Sequence, residues 1–292
     1  MARSLECTNP DLDMEFFDFY HETCAMLSKV TNTENKALIL GGEGILGLEA
    51  ACASLTEPGD RVLVIDNGIF GKGFADFVKI YGGQPVLYTA DYHNPIAVAE
   101  LEAFLKTDHD FKYATVVHCD TPSGVCNDVE EISKLLDKYG IMTVADTVAA
   151  LFGEPLDLSN SKIDILCGGS QKALSVPPGL TMLWVSDRAF EAMANRRTPI
   201  ASFYANILLF KDYYENKFFP YTWLTPYMFM HRTSPADTGY RMWRSAITTS
   251  AYFPPHYSMT CKTEKRHDRN HTVSRKQYTV LLDRPFGVLF FW

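Results

Sequence analysis

Mostly apolar residues gather in short runs: Ala37 to Leu40, Arg61 to Ile65, Pro85 to Tyr88, Tyr113 to His118, Ile141 to Ala145, Ile163 to Cys167 and Leu180 to Val185. Runs of this length, punctuated by Gly, Pro, Asn and Asp, predict buried strands. Between them the spacing widens to a helical period. It predicts helices over 16–30, 45–55 and 71–81, another running to Lys106 from Asn94-Pro95 as N-cap and first turn, and another from Asp128 to Gly140. The last carries Val129, Ile132, Leu135 and Leu136 on one face behind an aspartate cap. Strands alternating with helices predict an α/β fold, a mostly parallel central sheet with helices on both faces. Ligands of such sheets sit outside the carboxyl ends of the strands. Gly44, Asn67, Thr121, Asp146 and Lys172 all fall at or just past such ends. After Trp223 the pattern fades, and 227–292 shows little periodicity until Gln277 to Leu282. The basic run Lys262 to Arg269 reads as a solvated segment. Residues 1–222 are therefore expected to form one large domain, with 223–292 an atypical C-terminal segment.

Composition narrows the classes. The chain has 292 residues and a net charge of −8, which argues against nucleic acid or an anionic membrane as partner. No apolar run is long enough to span a bilayer, and Met1 to Pro10 has no apolar core of a secretory signal, so a cytoplasmic location is expected. The seven cysteines form no C-x-x-C pair and are expected to be reduced, packed thiols. The eight histidines show no metal-ligand spacing, so no metal site is expected.

Two features carry candidate chemistry. Gly42-x-Gly44-x-x-Gly47 follows a strand and opens a helix, with Asp66 ending the next strand, which satisfies the dinucleotide-binding fingerprint. More generally it is an anion site, the amides of Gly44 and Ile45 facing a phosphate. The second feature is Lys172, held in Gly168-Gly169-Ser170-Gln171-Lys172 between two buried runs. Lysine is seldom buried unless paired or used, and its amine attacks carbonyls. A nicotinamide enzyme has no general need for Asp146 together with such a lysine. Pyridoxal 5′-phosphate needs both, a lysine for its aldehyde and a carboxylate for its ring nitrogen. It also needs a helix N-terminus for its phosphate and an aromatic face, which Phe70 can supply.

These stretches resemble class V aminotransferases of the pyridoxal-phosphate fold type I group, especially alanine–glyoxylate and serine–pyruvate aminotransferases. The resemblance rests on 42–50, 57–60, 67–71, 118–124, 144–148, 168–179 and 202–204, and runs from about Met14 to Thr222. It implies Lys172 as the Schiff-base lysine and proton carrier, Asp146 on the pyridinium nitrogen, and Phe70 stacked on the ring. It further implies Gly44, Ile45 and Gln171 around the phosphate, Thr121 or Ser123 near the ring oxygen, and Val148 beside the cofactor. Thr222 matches a position reaching the phosphate of a neighbouring subunit, so a homodimer is implied. The reaction implied is ping-pong transamination from alanine or serine to glyoxylate or pyruvate. The family's compartments, peroxisome and mitochondrion, stay open. The family's carboxylate-clamping arginine motif has no match after Trp223. Other readings are a truncated or variant member that binds cofactor or a partner subunit, a fold type I enzyme of another reaction such as a desulfurase using Cys261, and a nicotinamide-binding protein.

Overall fold

The computed structural model of the chain describes residues 14–174 and 178–222, and two strands at 257–268 and 271–282. The chain begins with helix α1 (Met14–Val30), then strand β1 (Lys36–Gly41), α2 (Gly44–Leu55), β2 (Arg61–Asp66), α3 (Ile69–Ile80), β3 (Gln84–Thr89) and α4 (Val98–Leu105). It continues through β4 (Tyr113–Val117), β5 (Cys119–Asp120), β6 (Val125–Cys126), α5 (Val129–Lys138), β7 (Met142–Asp146), β8 (Ile165–Gly169), β9 (Leu180–Val185), α6 (Asp187–Ala194) and α7 (Tyr213–Asn216). Seven strands form one sheet in the order β1-β9-β8-β7-β4-β2-β3. The five from β8 to β3 are mutually parallel, while β9 runs antiparallel to both neighbours.

Strand composition explains the layering. Every residue of β4, β7, β8 and β9 is buried. Successive side chains point to opposite faces, so both faces of the sheet centre are covered. Helix α2 packs on β8 and β9, α3 on β2 and β3, α5 on β7, and α1 on β1. The Tyr20 hydroxyl of α1 donates to the Ile39 carbonyl at 2.9 Å and accepts from the Ile39 N–H at 2.8 Å, bolting that helix to the strand. The expected α5 forms with its cap: the Asp128 side chain accepts from the Glu131 N–H at 3.0 Å, acids fill the first turn, and Lys138 closes the last.

Three expectations are corrected. Helix α4 does not start on Asn94-Pro95; its N-cap is Ala97. The Asn94 amide donates instead to Asp91 at 2.5 Å, and the Ile96 N–H goes to Asn127 Oδ1 at 2.9 Å. Cys119 and Cys126 are not free thiols but are joined by a disulfide across the small β5–β6 hairpin. Cys24, Cys52 and Cys167 are buried and free as expected. The third correction is in the tail, where β10 (Tyr257–Asp268) pairs antiparallel with β11 (His271–Leu282), register Tyr257↔Leu282 to Asp268↔His271. The basic run thus enters a strand, and Cys261 is a strand residue rather than part of a loop.

Candidate active site

The glycine turn, Asp146, Val148 and the Lys172 turn meet at the carboxyl ends of β1, β7 and β8. Close approach sets the glycine positions. A Cβ on Gly44 would come within 2.7 Å of Val148 Cγ2, and one on Gly169 within 3.3 Å of Val148 Cγ1. Val148 therefore wedges between the two turns, and Gly42 N–H ties them by donating to the Gly179 carbonyl at 2.8 Å.

Asp146 ends β7 and is only 6% exposed. Its Oδ1 accepts from the Val148 N–H at 2.9 Å, and its other oxygen accepts no hydrogen bond from a described residue. Burial pushes its pKa up to about 6; the Val148 bond opposes this, Glu43 and Asp120 add to it, and Lys172 offsets part. A buried carboxylate with a spare oxygen is a receptor for a cationic donor. Lys172 is half-buried, makes no ion pair with a described residue, and stands close enough to Asp146 to be felt electrostatically.

Phe70, in the first turn of α3, is 43% exposed. Its N–H is held by Asp120 Oδ1 at 3.2 Å, while Asp120 Oδ2 accepts from the Ser123 N–H at 3.1 Å. Asp120 reaches across because Gly68 leaves room: a Cβ there would lie 2.4 Å from the Asp120 carboxyl carbon. Asp120 is thus a positioning residue that the sequence reading named only as part of a loop. Thr121 is exposed, and the Ser123 hydroxyl is engaged within its own turn, donating to the Asp120 carbonyl and accepting from the Val125 N–H, both at 3.3 Å. Thr222 is exposed. Asn67 stays out of the site, buried in a reciprocal amide pair with Asn127, 3.1 Å each way.

Glu43 is the residue that the sequence reading passed over. It occupies the variable position of the glycine turn and caps α2, its Oε2 accepting from the Ile45 N–H at 2.9 Å. Its Oε1 accepts from the Gln171 side-chain amide. Two of the three donors expected to face a phosphate, Ile45 N–H and the Gln171 amide, are engaged by a carboxylate.

Asp66 does not wait for a ribose: it is buried and accepts from the Thr89 hydroxyl at 3.2 Å and the Tyr92 hydroxyl at 2.5 Å. Burial pushes the Cys24 and Cys52 thiols up to about 12, the opposite of an activated nucleophile.

The class-V aminotransferase family model matches residues 9–205. The chain belongs to that family. It is 35% identical over 213 residues to pyridoxamine–pyruvate transaminase of Mesorhizobium japonicum, covering 73% of this chain and 54% of that one. It is 34% identical over 194 residues to alanine–glyoxylate aminotransferase of Callithrix jacchus, covering 66% and 47%. The crystal structure of pyridoxamine–pyruvate aminotransferase from Mesorhizobium loti superposes with a TM-score of 0.73 at 31% identity, covering 84% of this chain and 63% of that one. The chain spans about half the length of the curated relatives it matches.

Class-V aminotransferases work with pyridoxal phosphate. The ring and aldehyde halves of that group fit this chain: Asp146 offers an oxygen without a donor among the described residues, Phe70 an exposed side chain, and Lys172 an amine. The phosphate half does not fit, because Glu43 already lies on the N-terminus of α2. Among the described residues no helix is long and apolar enough to cross a membrane.

Proposed function

We propose that this chain transfers amino groups between a small amino donor and a 2-oxo acid, with a pyridoxal ring as carrier and residues 1–222 as the ring-binding domain. The observation that carries the reading is the spare oxygen of the buried Asp146 carboxyl near a lysine that makes no ion pair with a described residue. The names of the relatives supply the acceptor class, pyruvate or glyoxylate. Alanine or serine is the donor class the resemblance implies.

A bound pyridoxal ring supplies an electron sink for the substrate's α-carbon. The chain's residues do the rest. Asp146 would hold a proton on the ring nitrogen by accepting its N–H. Phe70 would offer its face to the ring, while Val148 fills the gap between the two turns. The Lys172 Nζ would hold the aldehyde, and as a free amine it would carry the α-proton as a general base. Asp120 keeps the first turn of α3, and so Phe70, in place. A homodimer with Thr222 reaching the neighbouring protomer's site completes the reading, and Thr222's exposure is compatible with it.

The test is visible absorption of the purified 292-residue chain with pyridoxal and, separately, with its 5′-phosphate, repeated on Lys172→Ala. A band present in the parent and absent from the variant is expected with at least one of the two. Absence with both compounds would sink the reading. Alanine or serine with pyruvate or glyoxylate then tests turnover.

A further inference from the structure

We propose that the ring accepted here is unphosphorylated, so that pyridoxamine and pyridoxal enter and leave as substrate and product instead of residing as a phosphate-anchored cofactor. The inference rests on the reading above, turns the ring from a resident carrier into one of the exchanged partners, and is argued from what occupies the N-terminus of α2.

A helix N-terminus holds phosphate by presenting amides that have no partner of their own. Here two of the three donors expected to face it, Ile45 N–H and the Gln171 amide, are engaged, as are the flanking amides of Gly42 and Leu46. Gly42 N–H bonds the Gly179 carbonyl at 2.8 Å, Ile45 N–H bonds Glu43 Oε2 at 2.9 Å, and Leu46 N–H bonds the Glu43 carbonyl at 2.8 Å. The Gln171 amide N–H, the remaining side-chain donor expected there, is bonded to Glu43 Oε1. Glu43 thus places an anion where the phosphate would go and takes two of the groups that would bind it.

Charge points the same way. Among the described residues, the charged side chains that act most strongly on Asp146 are Glu43, Asp120 and Lys172. With Asp146 ionised, these are three carboxylates and one cation. A phosphate monoester brings nearly two further negative charges at pH 7, and Lys172 is the one cation among these strongest described neighbours to receive them. A hydroxymethyl group is different. It is neutral, and its O–H can donate to Glu43. A buried acceptor without a donor is also at hand, since Gln171 Oε1 lies against Gly169 and makes no hydrogen bond.

The overall exchange balances without an outside oxidant. Pyridoxamine and a 2-oxo acid condense with loss of one water, and a proton moves from the ring's methylene carbon to the α-carbon. Hydrolysis returns the water. The methylamine carbon is oxidised to an aldehyde, and the keto carbon is reduced to an amine. Without a phosphate anchor, only Lys172 retains the aldehyde, so the product can leave.

Calorimetric titration of the full chain with pyridoxamine and with pyridoxamine 5′-phosphate tests this without involving the aldehyde. The parent is expected to bind pyridoxamine at least tenfold more tightly. Glu43→Ser, which frees Ile45 N–H and Gln171, should move the ratio at least tenfold toward the phosphate. Glu43→Gln, which keeps the side chain's size, should move it in the same direction by a smaller factor and serves if the serine variant does not fold. Tighter binding of the phosphate by the parent, or an unchanged ratio in the folded variants, overturns the inference while leaving the proposed function standing. No binding of either amine, with no Lys172-dependent band from either aldehyde, overturns both.

Discussion

Replacing Asp146 with asparagine should make the ring-free protein more stable at neutral pH. The carboxyl's pKa rises from 3.8 to about 6, with burial the largest cause and Glu43 and Asp120 adding to it. A shift of roughly 2 units at about 1.4 kcal/mol each is worth ~3 kcal/mol. The folded state holds the proton more tightly than the unfolded chain does. The stability it contributes is therefore full below pH 3.8 and is lost as pH rises through about 6. Asparagine keeps the shape and the bond from Val148 N–H but has no charge to desolvate. Denaturant unfolding from pH 4 to 8 should give matching curves at the acid end. By pH 7 the variant should lead by between about 1.5 and 4 kcal/mol. Addition of pyridoxal should reverse the order, since only the parent can pair a carboxylate with the ring's N–H. Parallel pH curves for parent and variant would refute the claim that Asp146 is a desolvated, underpaired carboxylate.

Other changes test the frame around the site. Glu57, 5% exposed, accepts from the N–H groups of Arg197 and Thr198 at 2.8 and 2.9 Å and from Lys112 at 3.2 Å. Burial pushes its pKa up, but the bonds from Thr198 and Lys112 outweigh it and hold the group at about 2. That stability is present above pH 4.5 and is lost as pH falls toward 2, so Glu57→Gln should cost about 2–3 kcal/mol at pH 7 and flatten the acid limb of the unfolding curve. Gly68→Ala should displace the Asp120 carboxyl from the Phe70 N–H, costing about 1–3 kcal/mol in denaturant unfolding and weakening ring binding in the same titration used for Glu43. Cys119→Ser with Cys126→Ser should lower stability by about 2 kcal/mol, the entropy of a short closed loop. The loss should be matched when the parent is unfolded in reductant.

Most of the sheet was legible because its strands are short apolar runs buried on both faces; Leu180–Val185 appears with the same bounds in sequence and structure. Helix α5 was legible from Asp128 alone, a cap whose partner lies three residues away. Where the reading failed, the competing partner was distant in sequence. Asn94 looked like a cap, but Asn127, over thirty positions on, takes the Ile96 N–H and keeps the chain extended. The cysteine pair was hidden because it closes a hairpin whose strands are only two residues each. The long β10–β11 pairing was hidden because polar and charged residues dominate most of both strands. At the site, Lys172, Asp146 and the glycine turn stood out by residue type. Glu43 did not, because a glycine fingerprint treats its intervening positions as interchangeable, and its role appears only once Gln171 folds back against it.

The antiparallel strand β9 has a consequence for the order of events in folding. β9 pairs with β1 from Lys36↔Val185 to Gly41↔Leu180, and Gly42 N–H reaches Gly179 O at 2.8 Å. Those two segments lie about 140 residues apart, so their meeting closes a long loop whose entropy must be met before the contact stabilises anything. The glycine turn and the lysine turn are the extensions of these strands. A chain with its central parallel strands in place still has its two ring-holding turns apart. Competence to hold a ring therefore arrives late: on refolding, recovery of ring absorbance should trail recovery of the helical signal.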